Sequence, residues 1–221
     1  SYLCYMNIKT KTKELINSLP SDVTLVAVSK TKLKNEILES YNAGQRFFGE
    51  NKIQEMALKW EQLPKDIKWH MIGHVQTNKV KYMAHFVSLI HGVDSFKLLK
   101  EIEKQARKYS RIISCLIQIR IAEEETKFGL PPDQLDSLLE NSKVLNNVKI
   151  VGLMGMATYT KDTNQIASEF NSLKKLFDKA KKKLPDMETL SMGMSGDYDI
   201  AIKCGSNMIR IGSKIFGARN Y

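Results

Sequence analysis

The sequence predicts an α/β protein with a single (β/α)8 TIM barrel, and three observations support that prediction. Strand-type and helix-type segments alternate along almost all of the 221 residues, and eight such units in about 200 residues suit a compact barrel. No Pro- or Gly-rich linker divides the chain, so we expect residues 1–221 to form one domain, with 1–5 as an upstream extension. The alternative is an open doubly wound sheet. Such a sheet usually has a glycine-rich turn after its first strand, but Ser29-Lys30-Thr31 contains no glycine.

Short apolar runs bounded by turn residues predict the strands, because the strands of a parallel sheet are buried on both faces. The first run, residues 23–28, is almost wholly apolar and ends abruptly in polar residues. The predicted strands are residues 23–29, 46–49, 68–72, 86–91, 112–121, 148–154, 189–192 and 208–211.

Amphipathic segments between the strands predict the helices, and several helix ends carry residues suited to those positions. Ser95 is a suitable N-cap, Pro64 ends a helix, and Pro132 suits the first turn of another. The predicted helices are residues 7–19, 34–41, 53–62, 77–83, 95–108, 132–141, 163–182 and 197–202, with a short helix near Phe216.

The net charge of +10 raises the question of an anionic partner. Six lysines lie on one predicted helix: Lys174, Lys175, Lys179, Lys181, Lys182 and Lys183. A basic face of this kind is one route to nucleic-acid binding, with salt-sensitive affinity. This face lacks interleaved aromatic residues and a nucleic-acid-binding motif, which favours a solvated lysine face.

The sequence contains no long apolar run and no secretory signal, so we expect neither a membrane span nor export. Cys4, Cys115 and Cys204 are widely spaced and form neither a metal-binding nor a disulfide pattern, as is typical of a cytoplasmic protein. The acidic run 123–125 has no partner at metal-ligand spacing, so no metal site is predicted.

Lys30 follows the first buried strand directly. An ammonium in that position is costly unless it is paired or becomes a neutral amine. A neutral amine is a nucleophile toward aldehydes, which makes Lys30 a candidate Schiff-base lysine. The alternative is a lysine whose side chain extends into solvent.

Two turns after the last two strands are candidate anion sites. Residues 191–197 and 211–213 are rich in Gly and Ser, and such turns present N–H groups and hydroxyls to a phosphate. Barrels often bind phosphate after strands seven and eight. Opposite a candidate aldehyde-binding lysine, these turns indicate a phosphorylated aldehyde, and pyridoxal 5′-phosphate is the obvious candidate.

Other polar residues are predicted at the same mouth, including residues 91–94 after the fourth strand. Arg210 either donates to a ring nitrogen or phosphate, or forms a structural salt bridge. Asn51 binds a ring substituent or caps a helix, and His74 is an acid–base group or a structural histidine. Lys127 is a second mouth lysine or a partner of the glutamates at 123–125.

Several blocks of sequence match one known family, and they run in order from Leu25 to Gly217. The blocks are residues 26–30, 48–51, 54–55, 69–79, 127–129, 151–154, 190–195 and 210–217. They closely resemble the pyridoxal phosphate homeostasis proteins, the single-domain relatives of the alanine racemase N-terminal barrel.

The resemblance implies a pyridoxal-phosphate-bearing barrel in which Lys30 forms the Schiff base. It also implies the remaining cofactor-binding residues: Asn51 and His74 in the pocket, Met194, Ser195, Gly212 and Ser213 at the phosphate, and Arg210 near the pyridine nitrogen. Arg120, in the fifth predicted strand, stands where many relatives carry Asn. If Arg120 points inward, it adds a cation near the pocket.

The family comparison also separates a carrier from an enzyme. Alanine racemases use a lysine and a tyrosine as two bases, and the tyrosine comes from a separate C-terminal domain across a dimer. This sequence ends at Tyr221, just after the last predicted strand, so we expect one cofactor face to lack its base and to be open to solvent. We therefore expect a monomeric cytoplasmic carrier and buffer of pyridoxal phosphate that delivers it to apo-enzymes. The alternative is a pyridoxal-phosphate-dependent amino-acid racemase in which Tyr159, His74 or a partner subunit supplies the second base.

Overall fold

The computed structural model describes residues 7–124 and 128–217. Its eight strands are all parallel and form a closed barrel in sequence order, which confirms the predicted fold class. Strand β1 pairs with β8 from Thr24 against Met208 to Ala27 against Ile211, and this pairing closes the barrel. The strands are β1 Thr24–Val28, β2 Phe47–Glu50, β3 Lys68–Met71, β4 Leu89–Val93, β5 Ile113–Gln118, β6 Val148–Met154, β7 Thr189–Ser191 and β8 Met208–Ile211.

Helices surround the barrel and cover the outer faces of its strands. Three of the helices in the described ranges start at a side-chain cap: Asn7 accepts from the N–H of Thr10, Ser95 from that of Leu98, and Asp162 from that of Asn164. The helices are α1 Ile8–Ser18, α2 Lys34–Asn42, α3 Ile53–Gln62, α4 Phe96–Lys108, α5 Leu135–Ser142, α6 Thr163–Lys183, α7 Tyr198–Lys203 and α8 Ser213–Phe216, with 3-10 turns at Thr77–Tyr82 and Pro132–Gln134.

The apolar core has two parts. The larger part lies between the helices and the sheet and includes the fully buried Trp69, Phe48 and Phe170. The smaller part fills the barrel interior with Val26, Leu89, Leu116, Met154 and Met208. Filling the interior with side chains makes the barrel a packed core with its cavities at the two ends.

Strand β4 corrects the sequence prediction. The prediction placed the strand at residues 86–91 and residues 91–94 at its carboxyl end, at the mouth, but β4 is Leu89–Val93. Residues 83–87 form a turn in which the N–H of Val87 donates to the carbonyl of Met83. His91 is therefore buried inside the strand and does not lie at the mouth.

Strand β5 is shorter than predicted and ends at Gln118. Beyond it, Ile119 bridges to Leu130, and the Arg120 N–H donates to the carbonyl of Leu130. Arg120 is exposed and does not line the cavity described below. The extra cation that the sequence suggested for the pocket is therefore absent from the cavity wall formed by the described residues.

Ion pairs hold several lysines of the basic helix α6. Lys179 and Lys183 both bind the carboxylate of Asp136, and Lys174 binds Asp178. These pairs are the contacts expected of a solvated helix face. Within the described ranges, no helix has the length and apolar character needed to cross a membrane.

Candidate functional site

A cavity of about 880 Å³ opens at the carboxyl ends of the strands. Because the strands are parallel and the sheet is closed, the loops that follow all of them converge on this one mouth. The cavity wall contains every residue that the sequence proposed for cofactor binding: Lys30, Asn51, His74, Met194, Ser195, Arg210, Gly212 and Ser213. The geometry thus brings the whole predicted set together. Lys127 lies outside the described residues.

The segment that carries Lys30 is held from both sides. Lys59 Nζ donates to the carbonyl of Ser29 at 2.7 Å, and the N–H of Thr31 donates to Glu55 Oε1 at 2.7 Å. Thr31 has a φ of 63°, a left-handed conformation that is uncommon for a residue other than glycine. These contacts fix the backbone on each side of the half-buried Lys30.

Glu50, at the end of β2, anchors the same segment from inside the protein. Its Oε1 accepts from Ser29 Oγ at 2.6 Å and from Lys59 Nζ at 2.8 Å. Its Oε2 is buried and has no hydrogen-bond partner in residues 7–124 and 128–217. Burial raises the pKa of Glu50 from 4.5 to about 6, and the nearby Lys59 ammonium opposes that shift.

The raised pKa of Glu50 predicts a pH-dependent stability. A carboxyl group whose pKa is higher in the folded state contributes stability that is fully present below 4.5 and is lost as the pH rises through about 6. This loss amounts to about 2 kcal/mol. We expect the free energy of unfolding of Glu50→Gln to fall less than that of the wild type over this range, as measured by urea denaturation. If the free energy of unfolding changed equally with pH in the two proteins, the raised pKa of Glu50 would be contradicted.

The two predicted phosphate turns touch each other. The N–H of Gly212 donates to Ser195 Oγ at 3.3 Å, and the N–H of Met194 donates to Asp197 Oδ1 at 2.6 Å. Both N–H groups are thus engaged within the turns, so the hydroxyls of Ser195 and Ser213 are the donors best placed to meet an anion.

Gly193 shapes the first of these turns. Its φ is 94°, and a Cβ atom there would lie 2.7 Å from the Ala201 Cβ and 2.9 Å from the Tyr198 Cα. Only glycine combines that conformation with so close an approach to α7. The turn can therefore lie close against the helix that follows it.

Arg210 forms the floor of the cavity and is nearly fully buried. Nη1 donates to the carbonyl and Oγ of Ser191 at 3.0 and 2.5 Å, and Nη2 donates to the carbonyl of Gly155 at 3.1 Å. Burial lowers the pKa of Arg210 to about 10, while the Asp197 carboxylate opposes the shift. Arg210 therefore remains charged at neutral pH, held by neutral oxygens.

His74 and Asn51 lie at the rim of the cavity. The His74 ring stacks on Phe128 with the ring centres 4.0 Å apart, and its Nδ1 lies 3.6 Å from Asp94 Oδ2. The backbone of Asn51 packs against Gly73, where a Cβ atom would lie 2.5 Å from the Asn51 carbonyl oxygen. Asn51 is exposed and the His74 side chain is 38% exposed, and both line the cavity, so a ligand there could reach them from the mouth.

Sequence reasoning did not predict that several polar side chains point inward behind the cavity wall. His70, His91 and Ser191 lie inside the barrel, and Glu50 and Lys59 lie beneath the Lys30 segment. The motifs containing His70 and Glu50 were visible in the sequence, but their inward orientation depends on strand register. Within the described ranges no cluster of potential metal ligands occurs.

The donor set fits a phosphorylated aldehyde. The cavity offers a lysine amine, two serine hydroxyls on adjoining turns and a buried guanidinium. An amine suits an aldehyde, while the hydroxyls and the guanidinium suit a phosphate and a ring nitrogen or oxygen. The volume lies in the range usual for small-molecule sites.

The family described as "Alanine racemase, N-terminal domain" matches residues 5–220. At a finer level, "Pyridoxal phosphate homeostasis protein" of Aquifex aeolicus is 40% identical over 199 residues, covering 89% of this chain and 87% of that protein. The protein of the same name in Haemophilus influenzae is 38% identical over 224 residues, covering 99% and 94%.

A solved structure agrees with these relatives. PipY of Synechococcus elongatus, determined with PLP bound, superposes with a TM-score of 0.89 at 32% identity, covering 96% of this chain and 100% of PipY. The chain belongs to the pyridoxal phosphate homeostasis protein family, within the wider group of alanine racemase N-terminal barrels.

Proposed function

We propose that this protein binds pyridoxal 5′-phosphate covalently through Lys30 and acts as a carrier and buffer of that cofactor in intracellular homeostasis. One observation carries the proposal: a single cavity contains Lys30, the buried Arg210 and the two hydroxyl-bearing turns. The names of the relatives and the PLP bound to PipY support the same ligand.

Different residues of the cavity would bind different parts of the cofactor. When bound, pyridoxal phosphate supplies an aldehyde that condenses reversibly with amines. Lys30 provides the amine, and its backbone is held in place by Lys59 and Glu55 through the residues on either side. The hydroxyls of Ser195 and Ser213 would hold the phosphate, on the turns that also contain Met194 and Gly212. Arg210 would donate from the cavity floor toward the ring.

The geometry of the rim favours a carrier over a racemase. Efficient proton transfer needs a second base held within hydrogen-bond reach of the reacting atom. The Tyr159 side chain is 96% exposed, and His74 stacks on Phe128 at the rim. A solvated phenol and a ring at the rim are poorly placed to serve as that base. We propose slow amine exchange at an accessible site without efficient turnover.

Titration of the purified protein with pyridoxal phosphate tests the proposal. We expect a visible absorption band of the bound cofactor, which borohydride fixes onto a peptide containing Lys30. A modified peptide elsewhere would reject the anchor, and absence of any band would reject the ligand. Efficient racemisation of amino acids by the protein loaded with pyridoxal phosphate would show that it is an enzyme and would reject the carrier proposal.

We further propose a cytoplasmic monomer that passes the cofactor to apo pyridoxal-phosphate-dependent enzymes and binds neither membrane nor nucleic acid. Cys115 and Cys204 are free thiols, as is usual in a reducing compartment. Transfer to an apo-enzyme faster than the spontaneous release of cofactor would show direct delivery. Equal rates would limit the role to buffering, and sedimentation as a dimer would reject the monomer.

A further inference from the structure

A continuous chain of polar side chains runs through the barrel interior and ends on Arg210. His70 Nδ1 lies 3.0 Å from His91 Nε2. His91 Nδ1 lies 3.2 Å from Ser191 Oγ, which accepts from Arg210 Nη1 at 2.5 Å. The chain thus joins strands β3, β4, β7 and β8 across the core.

The two ends of this chain lie at opposite ends of the barrel. Arg210 lines the large cavity at the carboxyl ends of the strands, and His70 lines a second opening of about 400 Å³ at their amino ends. Between them, His91 and Ser191 are fully buried. Four linked polar residues in such an interior are costly to bury unless each is satisfied by the next.

Chemistry sets the direction of the hydrogen bonds. A guanidinium donates and never accepts, so Ser191 Oγ must accept from Arg210. The Ser191 hydroxyl is then free to donate to His91 Nδ1, which lies 3.2 Å from its oxygen. A neutral His91 with Nδ1 as acceptor carries its proton on Nε2, from which it donates to His70 Nδ1. His70 in turn carries its proton on Nε2.

Burial supports neutral rings along the chain. It lowers the pKa of His70 to about 3 and that of His91 well below its usual value, with the positive charge of Arg210 adding to the shift of His91. Each ring therefore holds one proton at neutral pH. If His91 instead carried its proton on Nδ1, Ser191 Oγ would accept hydrogen bonds from both Arg210 and His91. The Ser191 hydroxyl would then lose His91 Nδ1, which is the acceptor within its reach among the described residues.

We propose that Ser191 and His91 are positioning residues for Arg210, acting through this one-directional hydrogen-bond chain. The Ser191 hydroxyl has a single orientation, because it donates its own hydrogen to His91, and in that orientation its oxygen accepts from Nη1. The remaining N–H groups of the guanidinium are thereby presented to the cavity in a fixed plane. The effect on a ligand rests on the proposed function, whereas the chain itself does not.

Histidine NMR of the ligand-free, 15N-labelled protein tests the direction of the chain without any variant. We expect His91 and His70 each to show an unprotonated Nδ1 and a protonated Nε2, unchanged through neutral pH. His91 protonated on Nδ1, or a mixture of both tautomers, would overturn the proposal.

The variant Ser191→Ala tests the effect on Arg210. Ser40→Ala is the matched control, because it also removes a buried hydroxyl, which is hydrogen-bonded to Thr12 and lies away from the cavity. We expect Ser191→Ala to mix the His91 tautomers and to weaken pyridoxal phosphate binding on the order of tenfold. Ser40→Ala should change neither. Unaltered His91 signals and affinity in Ser191→Ala would refute the proposal. If the wild type binds no pyridoxal phosphate but shows the expected tautomers, the proposed function fails and the chain stands.

Discussion

Replacing Lys30 with alanine should abolish covalent binding of pyridoxal phosphate. The amine is the one group in this proposal that bonds to the aldehyde, and alanine offers no nucleophile in its place. The phosphate and ring contacts would remain, so we expect weak non-covalent binding without the absorption band of the bound cofactor. Absorbance spectroscopy across a cofactor titration, followed by borohydride reduction and mass measurement, checks both parts.

Lys32→Ala is the matched control for this loss. Lys32 also lines the cavity, but its Nζ lies 3.2 Å from the carbonyl of Phe216 and 3.5 Å from Glu36 Oε1. These contacts hold its amine against α8 and α2. We expect Lys32→Ala to keep the absorption band. A band that survives in Lys30→Ala and disappears in Lys32→Ala would move the anchor by two positions along the chain.

The fold was predictable because it depends on local patterns that repeat. Each apolar run is short, and each is followed by an amphipathic segment. An error in the predicted first or last residue of one strand therefore does not change the order of the strands. The cavity was predictable for the same reason. The carboxyl ends of parallel strands in a closed sheet all lie at one mouth, so Lys30 and Ser195 needed only to follow their strands and Arg210 to lie near the end of its own.

The interior was not predictable in the same way. Residues 86–90 are as apolar as a strand, yet Arg111 donates to the carbonyls of Ala84 and Val87 at 2.6 and 2.8 Å and holds residues 83–87 in a turn, so β4 begins only at Leu89. That shift carries His91 from the predicted mouth into the core. Likewise, Glu50 is visible at a strand end, but its burial depends on Lys59 reaching back from α3. Neither contact has a local signature.

Replacing Lys59 with methionine should strongly destabilise the protein at neutral pH. Lys59 Nζ contacts Glu50 Oε1 at 2.8 Å and Glu55 Oε1 at 2.7 Å, and the Glu50 side chain has no exposed surface. Removing one partner of a buried ion pair leaves an uncompensated charge, at a cost of about 3–5 kcal/mol. Urea denaturation measures this cost. A loss below about 1 kcal/mol would instead indicate a pair no stronger than a surface salt bridge.

A double mutant separates the charge from the packing of the lysine stem. In Lys59→Met with Glu50→Gln, the buried carboxylate is gone, so we expect most of the lost stability to return. Cofactor affinity should not return with it. Lys59 also holds the carbonyl of Ser29 at 2.7 Å, directly before Lys30, and methionine cannot donate to that carbonyl. A double mutant that recovers both stability and affinity would show that Lys59 acts only by neutralising Glu50. Recovery of stability alone would show that it also positions Lys30.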